Sequence, residues 1–486
     1  MNLATVIEDH DADRPALVSR GKVTTYGRLR DQVARMRGCL VARGVAPGDR
    51  VAIMAANNWY FVSAYLAVLG VGAIAVPLNP QSPPPEIEHE LRVVGARLTL
   101  VGPSGRQVVT AVDAAALPGY EGSVGVGDLL DGEPSPLVDR GPDDVAVLLF
   151  TSGTAGAPRA AMLTHGNLTG NIAQILANPE RPEGVDEVAL CVLPLFHVFG
   201  LNALLGVTLH VGGTVVLVER FDPHSTLEAV AEHGVTVLTG VPTMWAGWAG
   251  LRDATPDAMA TVRLAVSGAA ALDPRVRRAV RERFGIDLTE GYGLTEASPV
   301  VTSGLGHDAP DGSIGVPLPG VSVRLVDTEG EDALVGDPGE IWVKGPNVFP
   351  GYWHDDEATQ AALTADGWLR TGDIAVVDDD GFLSLVDRAK DVIIVSGFNV
   401  FPAEVEDVLA RHPAVEAAAV VGVPHPHSGE AVKAFVVVAD GAQVDDNALI
   451  DHTGLYLARY KCPSTITFVD ALPQGATGKV LRRALR

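Results

Sequence analysis

The chain has 486 residues, 47% hydrophobic and 20% charged, enough to bury a large core and divide into at least two domains, so long disordered stretches are not expected. Its formal net charge of −24 opposes an extended phosphate-backbone footprint and argues against nucleic-acid binding, whereas a small anion needs only a few local cations. Cys39, Cys191 and Cys462 are far apart, odd in number and without metal-ligand spacing, which argues against a zinc site or disulfide framework and predicts reduced thiols in the cytoplasm.

In chain order, Met1 to His10 has no basic start before an apolar run, so no secretory leader is predicted. Arg50-Val51-Ala52-Ile53-Met54 reads as a strand, followed by a helical-period stretch from Phe61 to Leu69. The apolar run Ala64 to Leu78 is short of a bilayer span and holds Gly70, Gly72 and Pro77, so it reads as a buried helix running into a strand. No transmembrane segment is predicted; peripheral contact with lipid stays open. The alternation continues to a strand at Val235 to Thr239 and implies parallel α/β construction.

Within that region Val145-Ala146-Val147-Leu148-Leu149-Phe150 opens directly into Thr151-Ser152-Gly153-Thr154-Ala155-Gly156-Ala157-Pro158-Arg159. Glycines let backbone N–H groups approach an anion, hydroxyls add donors and Arg159 supplies a forked cation, so the loop can hold phosphate. From Gly315 to Asp387 short strands separated by Asp-Gly and Pro-Gly turns predict antiparallel β or a small barrel. A new unit is predicted near Lys390. Its helix starts at Pro402 and places Val405, Val408 and Leu409 on one face, strands follow at Ala417 to Val421 and Val432 to Val438, and Gly475 to Leu481 presents Lys479 on a glycine turn. A Walker loop is excluded at Lys479, because GxxxxGK needs glycine at the place of Pro473.

Thr151 to Arg159 resembles the phosphate loop of the adenylate-forming superfamily, and further matches follow in that superfamily's order. They are Leu193-Pro194-Leu195-Phe196-His197, Gly291-Tyr292-Gly293-Leu294-Thr295-Glu296, Gly339-Glu340-Ile341, Arg370-Thr371-Gly372-Asp373, Asp387-Arg388-Ala389-Lys390-Asp391 and the Lys479 turn. The resemblance covers nearly the whole chain and points to the acyl-CoA synthetases within the superfamily. It implies an α/β fold: a large N-terminal AMP-binding and acyl-binding domain (1–389) of parallel α/β subdomains plus a small β-barrel, then a small mobile α+β lid domain (390–486).

The resemblance also implies roles. Thr151, Ser152, Gly153, Thr154, Gly156 and Arg159 would hold phosphates; Gly268, Ala269, Ala270, Gly291, Tyr292 and Gly293 would line the adenine and acyl carboxylate. Tyr292 offers a stacking face, Thr295 a hydroxyl for the α-phosphate and Glu296 an oxygen for Mg²⁺. Asp373 and Arg388 would bind the ribose, Lys479 would bridge carboxylate and α-phosphate, and Lys390 would be the hinge. His197 reads as a wall of the acyl site, not a base. Ser396, Gly397 and Phe398 would line the pantetheine tunnel, and Arg459 and Lys461 would meet CoA phosphates.

ATP, Mg²⁺ and CoA are thus implied as cosubstrates of a cytoplasmic ligase. A medium- or long-chain fatty acid is the favoured substrate, since Gly268, Gly291 and Gly293 would leave room for a chain and the motif Gly291 to Pro299 resembles fatty-acyl-CoA synthetases. Aryl or dicarboxylic acids, an acyl carrier protein as acceptor and a homodimer are the alternatives carried forward. An acyl-AMP-binding protein without catalysis is another, motivated by Arg159-Ala160-Ala161 where most relatives have lysine followed by glycine.

Overall fold

The computed structural model describes residues 2–151, 158–182, 186–388, 391–395, 398–425, 429–457, 459–474 and 480–485. The chain divides into two compact units, residues 1–323 with 343–370, and residues 324–342 with 371–486. The architecture is mixed α/β.

In the first unit, Ser123–Gly125, Leu98–Val101, Arg50–Met54, Ile74–Pro77 and Val145–Thr151 lie side by side and parallel, with Arg159–Thr164 antiparallel at the end. Helical returns make parallel pairing possible, and they cover the sheet as they do so. The apolar stretch after Arg50–Met54 forms the helix Trp59–Gly70 and then the strand Ile74–Pro77, as its composition predicted. Asn58 caps that helix at the Tyr60 amide, and every residue from Phe61 to Gly70 is buried. A helix apolar on all faces belongs inside a core.

A second sheet of this unit orders Pro15–Ser19, Thr214–Leu217, Val188–Cys191, Val237–Gly240, Leu264–Ser267 and Thr289–Gly293 in parallel, then adds Val300–Ser303 and Ser313–Pro317 antiparallel. The strand predicted from Val235 begins at Val237, because the helix Pro223–His233 ends at Gly234 in a left-handed cap and the Val235 amide closes that turn on the Val230 carbonyl at 3.0 Å. Behind the strands the helix Pro242–Gly250 buries Trp245 and Trp248 edge to face, ring centroids 5.1 Å apart.

Ser322–Val326, Gly339–Lys344, Leu369–Val377 and Leu383–Arg388, most of whose residues belong to the second unit, are neighbours in that order. A further sheet orders Phe398–Val400, Ile393–Val395, Gly429–Val438 and Val415–His425, with Thr465–Phe468 parallel to Gly429–Val438. The helix Pro402–Ala410 buries Val405, Val408 and Leu409, the face its sequence marked. Among the described residues no helix is long and apolar enough to cross a membrane.

One buried acid makes the fold pH-sensitive. Glu90, on the helix Pro84–Val94, is buried beside Ile87 and Leu91, and its Oε2 has no partner among the described residues. Burial, with a smaller push from the Glu86 charge, raises its carboxyl to about 8. A folded pKa above the unfolded one means a contribution to stability that is complete below about pH 4.5 and is lost as pH rises toward 8. Glu90→Gln is therefore expected to raise the thermal midpoint by a few degrees at about pH 8.5 and to leave it unchanged near pH 4.5. Equal shifts at both pH values in thermal melts would contradict this.

Candidate active site

The turn that carries Thr295 and Glu296 is short, a single 3₁₀ turn Thr295–Ala297 after the strand Thr289–Gly293. Side-chain amides fix it from outside. Asn171, on the helix His165–Leu176, mimics a strand partner: its Nδ2 donates to the Val300 carbonyl at 2.8 Å and its Oδ1 accepts from the Val300 amide at 3.1 Å. Asn202 donates to the Ser298 carbonyl at 2.8 Å, and Asn347 donates to the Ala297 carbonyl at 2.8 Å. Gln174 joins the set, donating to Asn347 Oδ1 and accepting from Asn171. All four amides are buried, so each bond is made without competition from water.

Arg159 and Glu296 meet through a residue that the sequence did not point to. Thr151 and Arg159 face each other in register across the antiparallel pair, which brings the ends of the phosphate-like loop together. Arg159 Nε lies 3.0 Å from Asp355 Oδ2, and its guanidinium sits 5.9 Å from the centre of the Tyr352 ring. Tyr352 donates its hydroxyl to Glu296 Oε1 at 2.7 Å. Burial first, and then the Glu296 charge, push the Tyr352 phenol upward, so it remains a donor.

His197 is shielded at Nε2, which has no partner among the described residues, and burial lowers its pKa. Burial thus favours its neutral imidazole. It precedes a π-helix, Phe199–Gly206, a widened form that is rare in proteins. Phe199 explains Gly268: a Cβ there would lie 3.0 Å from the Phe199 ring. Gly291 and Gly293 correct an expectation. A Cβ at Gly291 would meet the Thr302 carbonyl oxygen at 2.8 Å and one at Gly293 the Pro299 oxygen at 2.2 Å. The space they leave is filled by the paired strand and carries no information about an acyl chain. Ala269 adopts a φ of +69°, Ala270 follows it at an exposed position, and Tyr292 is buried.

In the second unit Asp373 and Arg388 are cross-strand partners, directly opposite in register. Thr371 and Glu340 hold the strand next to Asp373: Thr371 Oγ1 donates to the Ile341 carbonyl at 2.8 Å and the Gly372 amide donates to Glu340 Oε1 at 2.9 Å. Lys461 is engaged elsewhere, its ammonium 2.7 Å from both carboxylate oxygens of Glu404. Phe398 is the register partner of Val395 on the antiparallel strand Ile393–Val395. Ser152, Gly153, Thr154, Gly156, Lys390, Ser396, Gly397 and Lys479 lie outside the described residues.

Residues 4–353 match the AMP-binding enzyme family and residues 404–479 match the AMP-binding enzyme C-terminal domain. This chain belongs to the AMP-binding enzyme family. Among its relatives, a feruloyl-CoA synthase of Amycolatopsis sp is 41% identical over 96% of this chain and 94% of its own length. A long-chain-fatty-acid–CoA ligase of Yersinia pestis is 37% identical over 98% and 92%. An ATP-bound MatB from Rhodopseudomonas palustris superposes with a TM-score of 0.93 at 34% identity, covering 100% of this chain and 98% of that one. The AMP-binding enzyme is thus an adenylate-forming ligase of the acyl-CoA synthetase type.

Tyr352 and Asp355 are what motif reading missed in this family member. Tyr352 stands 56 positions from Glu296 in the chain, and no spacing rule links them. Only Asp355 left a local trace, as the N-cap of the helix Asp356–Ala362. The amide network gives the test of how the site is held. Asn347→Ala leaves the Ala297 carbonyl and the Gln174 amide without their partner and is expected to cost about 1–3 kcal/mol. Thermal or urea unfolding of the variant checks this, and an unchanged transition would contradict it.

Proposed function

We propose that this protein is an acid–CoA ligase that adenylates a carboxylic acid with Mg·ATP and then transfers the acyl group to CoA. What carries the reading is the placement of a cation, Arg159, and a carboxylate, Glu296, on either side of Tyr352 at the exit of the phosphate-like loop. The acid's oxygen attacks the α-phosphorus, the bond to pyrophosphate breaks, and acyl-AMP results. The CoA thiolate then attacks the acyl carbon and AMP leaves with the electron pair of the broken C–O bond. Both encounters join anions, so they need fixed cations and donors.

The donor set fits a magnesium ion completed by substrate. Among the described residues no three His, Cys, Asp or Glu side chains cluster as a metal cage, and Mg²⁺ is ordinarily held by one or two carboxylates together with phosphate oxygens. Glu296 is the carboxylate that would hold it, and the ion would neutralise charge on the phosphates. Arg159 and the Thr151 loop take the departing pyrophosphate, Thr295 meets the α-phosphate, and Asp373 with Arg388 takes the ribose. Lys479 bridges the two anions during adenylation, and residues 390–486 move about Lys390 before the thiol arrives.

For the acid we favour an aryl acid of the hydroxycinnamate kind. Two buried donors support it. Ser267 is opposite Gly240 in register, and a Cβ on Gly240 would touch Trp245 Nε1 at 3.2 Å, so Ser267 and Trp245 Nε1 lie on one face of the sheet. Neither has a partner among the described residues. A ring hydroxyl or methoxyl can pair with them, while an alkyl chain leaves them unsatisfied. The fatty-acid reading keeps the support of the long-chain ligase relative.

The test is ATP–pyrophosphate exchange with ferulate, benzoate, malonate, octanoate and palmitate, followed by thioester detection with CoA. Ferulate is expected to exceed palmitate by at least about tenfold in kcat/KM; the reverse order would overturn the aryl choice, and no exchange with any acid would overturn the ligase reading. Lys479→Ala is expected to slow adenylation by about a hundredfold or more while thioester formation from supplied acyl-AMP stays near the parent rate. Equal loss in both half-reactions would remove the assigned role.

A further inference from the structure

The segment from Gly351 to Asp355 is held against the strand Arg159–Thr164 more tightly than a loop requires. The Met162 amide donates to the Gly351 carbonyl at 3.0 Å, the Trp353 amide donates to the Ala160 carbonyl at 2.8 Å, and Ala161 and Tyr352 are bridge partners. Tyr352 is therefore locked in register two residues from Arg159. Thr359 ties the other end, accepting from the Tyr352 amide at 2.9 Å and donating to the Asp355 carbonyl at 2.8 Å. Gly351, at a φ of +140°, permits this: a Cβ would lie 2.5 Å from Thr359.

From this segment two side chains reach opposite kinds of phosphate ligand. Tyr352 donates to one oxygen of Glu296, whose carbonyl accepts from the Phe349 amide at 2.9 Å, so carboxylate and backbone are both fixed. Asp355 divides its carboxylate: Oδ1 caps the helix at the Ala358 amide and Oδ2 takes Arg159 Nε. Arginine has five N–H donors in a planar fork, so with Nε engaged its terminal nitrogens remain for an anion. A lysine carries its three donors on a single nitrogen, so it cannot hold Asp355 through one nitrogen and present separate, fixed nitrogens to a phosphate as the guanidinium does.

We propose that Tyr352 and Asp355 are positioning residues for ATP: Tyr352 sets the Glu296 carboxylate as the metal ligand, and Asp355 turns Arg159 so that its terminal nitrogens meet the pyrophosphate end of the nucleotide. This rests on the adenylation reading above. It also gives Arg159 a physical reason in this chain, since an arginine can satisfy Asp355 and a phosphate together.

Calorimetric titration of the full-length protein with ATP, with and without Mg²⁺ and with no acid present, tests it without turnover. Tyr352→Phe keeps the ring, which packs at 4.9 Å from Phe349, and removes only the donor. It should reduce the gain in ATP affinity that Mg²⁺ gives by about tenfold, leaving metal-free ATP binding within about twofold of the parent. Asp355→Asn keeps the helix cap and removes the charge. Arg159→Lys should cost about tenfold in ATP affinity in the parent and no more than about twofold in the Asp355→Asn background. An unaltered Mg²⁺ gain in Tyr352→Phe, or additive losses in the Arg159–Asp355 cycle, overturns the proposal. The cycle keeps it falsifiable should Tyr352→Phe fail to fold. A parent protein that binds no ATP would overturn the adenylation reading and this one together.

Discussion

The buried amide network around the Thr295–Glu296 turn is the constraint on which the site depends. A single 3₁₀ turn has too few internal hydrogen bonds to hold a carboxylate in place. Asn171, Gln174, Asn202 and Asn347 supply what the turn lacks, each meeting a backbone group or another amide in surroundings that exclude water. Leaving any one of these groups unpaired there costs more than the bond itself is worth. The turn, the helix His165–Leu176 and residues 346–349 therefore behave as one piece.

The same logic extends outward. The helix His165–Leu176 begins directly after the strand Arg159–Thr164, and its Thr164 and Asn167 form a reciprocal cap. Asn167 then donates to the carbonyls of Pro346 and Val348, both at 2.8 Å. Strand, helix and the segment leading to Tyr352 are thus joined by polar bonds of main-chain groups, the Asn167 amide and the Thr164 hydroxyl. Arg159 and Glu296 inherit their positions from that frame. The turn that carries Glu296 has its freedom removed by side-chain amides bound to its main chain and to one another.

Much of this was legible beforehand. Arg50–Met54, Trp59–Gly70 and Pro402–Ala410 follow from period and caps alone, because local propensity and burial agree in them. The motif residues Asp373 and Arg388, separated in sequence, prove to be opposite one another on paired strands. The glycines misled for a physical reason: absence of a side chain marks close approach, and sequence cannot say whether a ligand or a neighbouring strand comes close. At Gly291 and Gly293 it is the strand. Tyr352 was invisible because a tyrosine after a glycine is common in loops, and only its hydroxyl's partner gives it meaning.

The sequence by itself determined which chemical groups this ligase has and in what order: a glycine- and hydroxyl-rich run from Thr151 to Arg159, then the acids Glu296 and Asp373 and the cation Arg388. It also determined the alternation of strands and helices, which short-range sterics and apolar periodicity enforce. Only the tertiary structure decided which of those groups touch. Hydrogen bonds such as Tyr352 to Glu296 and the ion pair of Arg159 with Asp355 join residues far apart in the chain, and their energy depends on distance and burial, quantities that exist only once the chain has packed.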